Sequence, residues 1–207
     1  MKYGQSFKIM AIAINGTGTL TGVSVGGLPD GIVDTDMLAA SAVTAAKATG
    51  SAKGITEHDE WRVHSDFSAA TTAITSNWER VDNNSNSVKI GTGWTESSGI
   101  FTPASNGIYR IHFQTLGQRN ETQFMGVAIN YSIDSGSNYA TLSYGRDSNS
   151  GSTSDTWCQA ICSASLDVTN YANTRIKFTV DSSGTFSYKG HTDYNSTWCS
   201  FTRLGDT

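Results

Sequence analysis

The chain has 207 residues, a net charge of −4 and only 15% charged residues, so it carries no broad basic field for nucleic acid or an anionic membrane. Ser, Thr, Asn and Gly are abundant and Pro occurs only twice, which suits exposed β-structure with polar turns and argues against a helical enzyme. At this length a full core can be buried, by one domain with an appendage or by two small domains.

Residues 1–33 are rich in Gly and Thr. The apolar run Ile9-Met10-Ala11-Ile12-Ala13-Ile14 is too short to span a bilayer. Asn15-Gly16-Thr17-Gly18 follows it in place of a cleavage pattern, so neither membrane insertion nor export by the ordinary secretory route is expected. Residues 11–14 and 19–25 read as brief strands, separated by Asn15-Gly16 and closed by Gly26-Gly27. So small a segment has no core of its own. It is predicted to be an N-terminal anchor, stable when docked or intertwined with copies of itself.

Residues 34–54 are predicted to be a helical connector. Asp34 or Thr35 serves as N-cap, Asp36 adds negative charge to the first turn, and Met37, Leu38, Ala39, Ala40, Ala42, Ala45 and Ala46 are good helix formers. Lys47 sits in the last turn and Gly50 offers a stop. Leu38, Ala42 and Ala45 or Ala46 form one narrow stripe. About fifteen residues is marginal for an isolated helix. This one is expected to pack, either against the following domain or in a parallel bundle about a threefold axis.

Residues 55–207 show repeated alternation of period two. Tyr109, Ile111 and Phe113 point one way and Arg110, His112 and Gln114 the other. Met125, Val127, Ile129, Tyr131 and Ile133 line one face of a long strand, and Cys158 and Cys162 share a face with Ala160, Ala164 and Leu166. Ile176, Phe178 and Val180 alternate with Arg175, Lys177 and Thr179; Phe186 and Tyr188 follow Ser182-Ser183-Gly184. The last strand runs through Trp198-Cys199-Ser200-Phe201-Thr202-Arg203-Leu204. Asp134-Ser135-Gly136-Ser137-Asn138 and Asp147-Ser148-Asn149-Ser150-Gly151 read as loops. Many evenly spaced strands with one apolar face, and no alternation of strand with helix, predict an all-β sandwich or barrel.

Candidate chemistry is sparse. Three cysteines at no zinc-like spacing, Cys158, Cys162 and Cys199, read as buried thiols acting as small hydrophobes. His58, His64, His112 and His191 have no Ser or Cys partner in a nucleophile context, and Gly16-x-Gly18 and Gly91-x-Gly93 are turn signals rather than phosphate loops. His58-Asp59-Glu60 reads as a solvated start to the domain rather than a metal site, and residues 147–155 as solvated turns rather than a calcium loop. Glu57, Asp59, Glu60, Glu79, Glu96 and Glu121 supply carboxylates, but nothing in their spacing makes the pair a glycosidase needs. Neither enzymatic activity nor a cofactor is expected. Trp94, Tyr139, Tyr144, Trp157 and Tyr194 are candidates for stacking on sugars, though at least half of them suit a core or a subunit interface better.

One stretch carries a family resemblance. Gly99-Ile100-Phe101-Thr102-Pro103-Ala104-Ser105-Asn106-Gly107-Ile108-Tyr109-Arg110-Ile111-His112-Phe113 resembles the signature of C1q/TNF-like jelly-roll domains, with Phe101, Pro103, Gly107, Tyr109 and Phe113 in its core positions. A strand near Leu166, another at residues 174–180 and the closing Ser200-Phe201-Thr202-Arg203-Leu204 are also similar, so the resemblance covers residues 57–207. Asp167-Val168-Thr169-Asn170 departs from it, standing where the family commonly has Gly-Asp. Physically, Pro103 ends a strand edge without needing a ladder donor, Gly107 permits a tight turn, and Tyr109 and Phe113 supply apolar area between the sheets. A second segment, Gly27-Leu28-Pro29-Asp30-Gly31-Ile32-Val33-Asp34-Thr35-Asp36-Met37-Leu38-Ala39 with Ala42-Val43-Thr44-Ala45-Ala46-Lys47, resembles the connector of structural and fibre proteins of marine bacteriophages. Together the resemblances imply a homotrimeric appendage at the virion surface. Its N-terminal segment would contact other virion proteins, and its jelly-roll head would face outward toward a host glycan or receptor. The alternative is a free-standing ligand- or carbohydrate-binding module of the C1q type, for which the anchor would be superfluous.

Overall fold

The computed structural model describes residues 54–81, 89–119, 121, 123–148, 150 and 154–207, all within the compact unit Ala45–Thr207. The expected anchor (1–33) and helical connector (34–54, save Gly54) lie outside the described residues. Among the described residues the elements are all strands: β1 His58–Val63, β2 Phe67–Ala73, β3 Trp78–Arg80, β4 Thr95–Ser97, β5 Ile100–Thr102, β6 Gly107–Arg119, β7 Phe124–Ser132, β8 Ala140–Ser148, β9 Thr156–Val168, β10 Arg175–Tyr188 and β11 Trp198–Gly205.

Two antiparallel layers result. The front sheet runs β3-β1-β11-β6-β9. Its longest ladder is β6 on β9, in unbroken register from Gly107↔Val168 to Arg119↔Thr156. The back sheet runs β8-β7-β10, and β2 and β5 share the far edge of β10. The layers join where Ser187 and Tyr188 of β10 pair with Gln118 and Gly117 of β6. Apart from the β4-β5 and β7-β8 pairs, consecutive strands thus cross between sheets, the wiring of a jelly roll.

The core lies between the sheets and is aromatic. The Phe178 ring has Phe113 at 4.6 Å, Phe101 at 5.3 Å, Trp78 at 5.7 Å and Phe201 at 6.0 Å between centroids. Trp94 stacks on Phe201 at 4.0 Å and meets the edge of Tyr109 at 5.2 Å. Each such ring, taken out of water, contributes roughly 1.5–3 kcal/mol. The five signature residues Phe101, Pro103, Gly107, Tyr109 and Phe113 are all buried. Gly107 opens β6 at φ +149, and a side chain there would meet Arg203 Nε at 2.4 Å and Gly205 O at 2.8 Å. Glycine is therefore required both by the backbone and by the space.

Several expectations are corrected. Ile133 is not on the β7 face: the strand ends at Ser132, whose Oγ donates to Asp134 at 2.6 Å to start the turn, and Ile133 is 68% exposed. Asp147 and Ser148 belong to β8, where the Asp147 carboxylate accepts from the Gln159 amide at 3.0 Å. Ser182-Ser183-Gly184 lies inside β10, which passes through it with a shifted register between Asp181 and Phe186. His58-Asp59-Glu60 is the beginning of β1, so alternation sends Asp59 into the core while His58 and Glu60 face outward, half-buried. Trp94 is fully buried and offers no face to a sugar.

Candidate subunit interface on the front sheet

The outward face of the front sheet divides into two halves that follow from register. One row crosses four of its five strands as Arg62, Trp198, Gln114 and Ile161, with Arg62 itself buried. Toward the 189–197 loop the face continues with Leu116 and Trp157. Trp157 is 58% exposed and Ile161 46%. These side chains arise because β9 alternates Cys158, Ala160 and Cys162 inward against Trp157, Gln159 and Ile161 outward. The outward phase of a half-solvated sheet is normally polar, so large apolar groups there mark a surface to be covered.

The other half is polar and titratable. Its rows are Glu60, Ser200, His112 and Ser163, then His58, Thr202, Arg110 and Ser165. His58 is raised above its ordinary value by its hydrogen bond to Glu60, and Glu60 is lowered by the same contact. Burial, and then the charge of Arg110, lower His112, which packs at 4.9 Å from Trp198.

A hollow of about 300 Å³ borders the apolar half, between Trp157, Leu116, Lys189, His191 and Tyr194. Tyr194 stacks on His191 at 3.9 Å, and Lys189 Nζ pairs with Asp66 at 2.8 Å while lying 5.7 Å from the Trp157 ring centroid. Of the remaining sugar-stacking candidates, Tyr139 lies under Lys177 Nζ at 4.0 Å and Tyr144 is exposed on the back sheet.

The six carboxylates are dispersed. Glu57 is buried and accepts from Ser105 Oγ at 3.1 Å, beside the Tyr109 hydroxyl. Asp59 holds Arg80, Glu60 meets His58, and Glu79 accepts from Arg62 at 2.7 Å. Glu96 accepts from the Gly99 amide at 2.6 Å, and Glu121 pairs with Arg119. Among the described residues no group of three or more His, Cys, Asp or Glu side chains is placed to hold a metal ion. No helix there is long and apolar enough to cross a membrane.

Solved structures share this architecture. Eiger TNF from S. frugiperda matches with a TM-score of 0.56 at 13% identity, over 72% of this chain and 93% of that one. Murine APRIL at pH 5.0 matches with a TM-score of 0.53 at 15% identity, over 72% and 98%. The fold is a TNF-like jelly roll. No protein-family model and no curated protein matches the sequence, so the likeness is one of fold. Within the TNF-like jelly roll, the Phe101–Phe113 signature stretch forms β5 and the first half of β6 at the centre of the core.

The thiols give a first testable outcome. Cys158, Cys162 and Cys199 are free and buried. Burial pushes Cys158 up to about 11 and Cys162 to about 12, and raises Cys199 well above the ordinary thiol range. The thiolate is the reactive form. Native protein at neutral pH is therefore expected to take up no maleimide, and unfolded protein three equivalents, counted by intact mass. Any labelled species from the native sample would contradict this burial.

Proposed function

We propose that the chain is a structural protein of a bacteriophage virion: a homotrimeric surface appendage of the capsid-fibre, decoration or tail-fibre type. Residues 55–207 form the outward head, free to recognise the host, and residues 1–33 contact other virion proteins. The observation that carries the trimer is the apolar half of the front sheet. Trp157 and Ile161, flanked by Leu116 and Trp198, are too large and too exposed for a face left in water. Threefold closure covers the same patch on every copy, and the hollow beside Trp157 is sized to receive a neighbour's side chain. The virion role is supported by the connector resemblance in residues 27–47 and by an N-terminal segment too small to build a core.

Light scattering of the full chain tests the assembly. The expected mass is about 66 kDa, three times 22.1 kDa, unchanged on dilution. Ile161→Asp sets a carboxylate in the patch formed with Trp157, Leu116 and Trp198 and is expected to give a monomer whose near-ultraviolet dichroism, reporting the buried rings, is unchanged. Ile133→Asp, at an exposed turn, is expected to leave the trimer intact. A wild-type monomer would overturn the appendage and leave a free-standing binding module. Deleting residues 1–33 tests the anchor: particles assembled with that chain should lack the head, and retention of the head would refute the anchoring role.

A further inference from the structure

We propose that the outward face of the back sheet is a binding groove for a neutral, hydroxyl-rich oligosaccharide. The inference supplies a ligand class for the recognition role proposed above. It rests on that reading only for the ligand's source, because the groove lies on the sheet opposite the proposed interface.

Register builds the groove. Tyr144 of β8, Ala128 of β7, Thr179 of β10 and Ala73 of β2 form one row across four strands. Apart from Tyr144, the row consists of small side chains, and it makes a low floor. On one side stands the next row, Thr141, Asn130 and Lys177. On the other stand Arg146, Gly126 and, on β10, Asp181 facing Thr71 of β2. The space between is about 470 Å³, within the range of roughly 300–1,000 Å³ typical of ligand clefts.

Tyr144 is held as a platform. Its ring lies over Gly126, where a Cβ would meet Tyr144 Oη at 2.3 Å and Cζ at 3.0 Å, so the missing side chain is what lets the ring lie down across β7. The hydroxyl donates to Asp181 Oδ2 at 3.1 Å and accepts from Arg146 at 3.1 and 3.3 Å. Arg146 is itself stacked on Phe124 at 3.8 Å. Pinned at its polar end and 42% exposed, the ring offers a fixed apolar face at little further entropic cost.

The opposite wall is a polar chain across three strands. Thr141 Oγ1 donates to Asn130 Oδ1 at 3.1 Å, and Asn130 Nδ2 donates to Thr179 Oγ1 at 3.0 Å. Each hydroxyl and the amide keeps further donor or acceptor capacity, so the chain orients groups that can still meet a ligand. Of the charged side chains lining the space, Lys177 and Asp181 stand on opposite sides, while Arg146 stands behind the Tyr144 ring, held by its hydroxyl and by the Phe124 face. An aromatic platform facing an amide, hydroxyls and charges already engaged by neighbours suits a sugar's apolar ring face and its hydroxyl rim.

Affinity electrophoresis of the full chain in native gels cast with galactomannan, xyloglucan or dextran tests this, with polygalacturonate as the charged control. Retardation by at least one neutral polysaccharide is expected. It should weaken about ten-fold or more in Tyr144→Ala, weaken in Asn130→Ala, and persist in Ile133→Ala, at an exposed turn outside both the groove and the proposed interface. Unchanged near-ultraviolet dichroism in Tyr144→Ala excludes misfolding, and Asn130→Ala gives an independent second reading. No retardation by any of the three, equal retardation of Tyr144→Ala, or preference for polygalacturonate would overturn the groove. Mass measured on the same samples reports the trimer separately, so either reading can fail alone.

Discussion

Asp59→Ala is expected to destabilise the jelly roll by about 3–5 kcal/mol, the usual cost of removing one partner from a buried ion pair. The Asp59 carboxylate is fully buried on β1 and accepts four hydrogen bonds. Arg80 of β3 supplies two at 3.0 and 3.1 Å, Trp61 Nε1 one at 3.0 Å, and the backbone amide of Trp94 one at 2.8 Å. Arg80 in turn donates to the Trp94 carbonyl at 2.6 Å and lies 4.5 Å from the centroid of the Trp61 ring. A single side chain therefore fixes β1 to β3 and locates Trp94, the ring that stacks on Phe201. Removing it strands two buried N–H donors and leaves the partly exposed Arg80 guanidinium without its carboxylate, against a total stability of about 5–15 kcal/mol. For a domain of this size the melting temperature should fall by roughly 6–20 °C. Asp59→Asn keeps the shape but not the charge and should fall between. A double-mutant cycle with Arg80→Met should return a coupling above about 1 kcal/mol, and additive effects would show that the pair does not act as a unit.

The same residue shows where sequence reading stops. The alternation in residues 108–114, 125–129 and 175–180 was legible because each strand buries one face against a large apolar core, and the structure places those residues as the period requires. His58-Asp59-Glu60 carries the same period, but with polar residues in both phases it gives no apolar signal. Asp59 reads as an inward residue only once Arg80, twenty-one positions away, is known to be beside it. β2 was illegible for a related reason: Phe67-Ser68-Ala69-Ala70-Thr71-Thr72-Ala73 is small and polar because it covers the edge of β10 rather than filling the core. The outward apolar patch on β9 had a signal in the sequence, since the inward phase Cys158, Ala160 and Cys162 leaves Trp157 and Ile161 on the polar phase. The back-sheet groove had none, because Thr141, Asn130 and Thr179 meet only through the register of three strands and a bulge between Ile129 and Asn130.

Gly145→Ala decides between two opposite effects and should be strongly destabilising. Gly145 lies within β8 without a positive φ, so the backbone places no demand for glycine there. On conformational entropy alone, alanine would stabilise the chain by about 0.4–1 kcal/mol. The space says otherwise. A Cβ at this position would lie 1.9 Å from the carbonyl oxygen of Ile161 and 2.7 Å from its carbon, because the edge strand of the back sheet rests directly on β9. Ser143 Oγ donates to the Ser163 carbonyl at 3.2 Å in the same seam. Backbone atoms of a strand paired along its whole length with β6 cannot step aside cheaply, so the contact is expected to outweigh the entropy and cost about 1–3 kcal/mol net, with Gly145→Val costing more. A lowered urea midpoint at unchanged slope is the expected reading, and a raised midpoint would show that β8 and β9 do not stack. The strain also has a direction. Pressing on Ile161 from the inside moves the side chain that stands outward beside Trp198 and Trp157, so, on the proposed threefold assembly, Gly145→Ala should make the mass concentration-dependent under conditions where the wild type stays whole. Loss of stability without loss of assembly would separate the seam from the interface and leave Ile161 acting through its side chain alone.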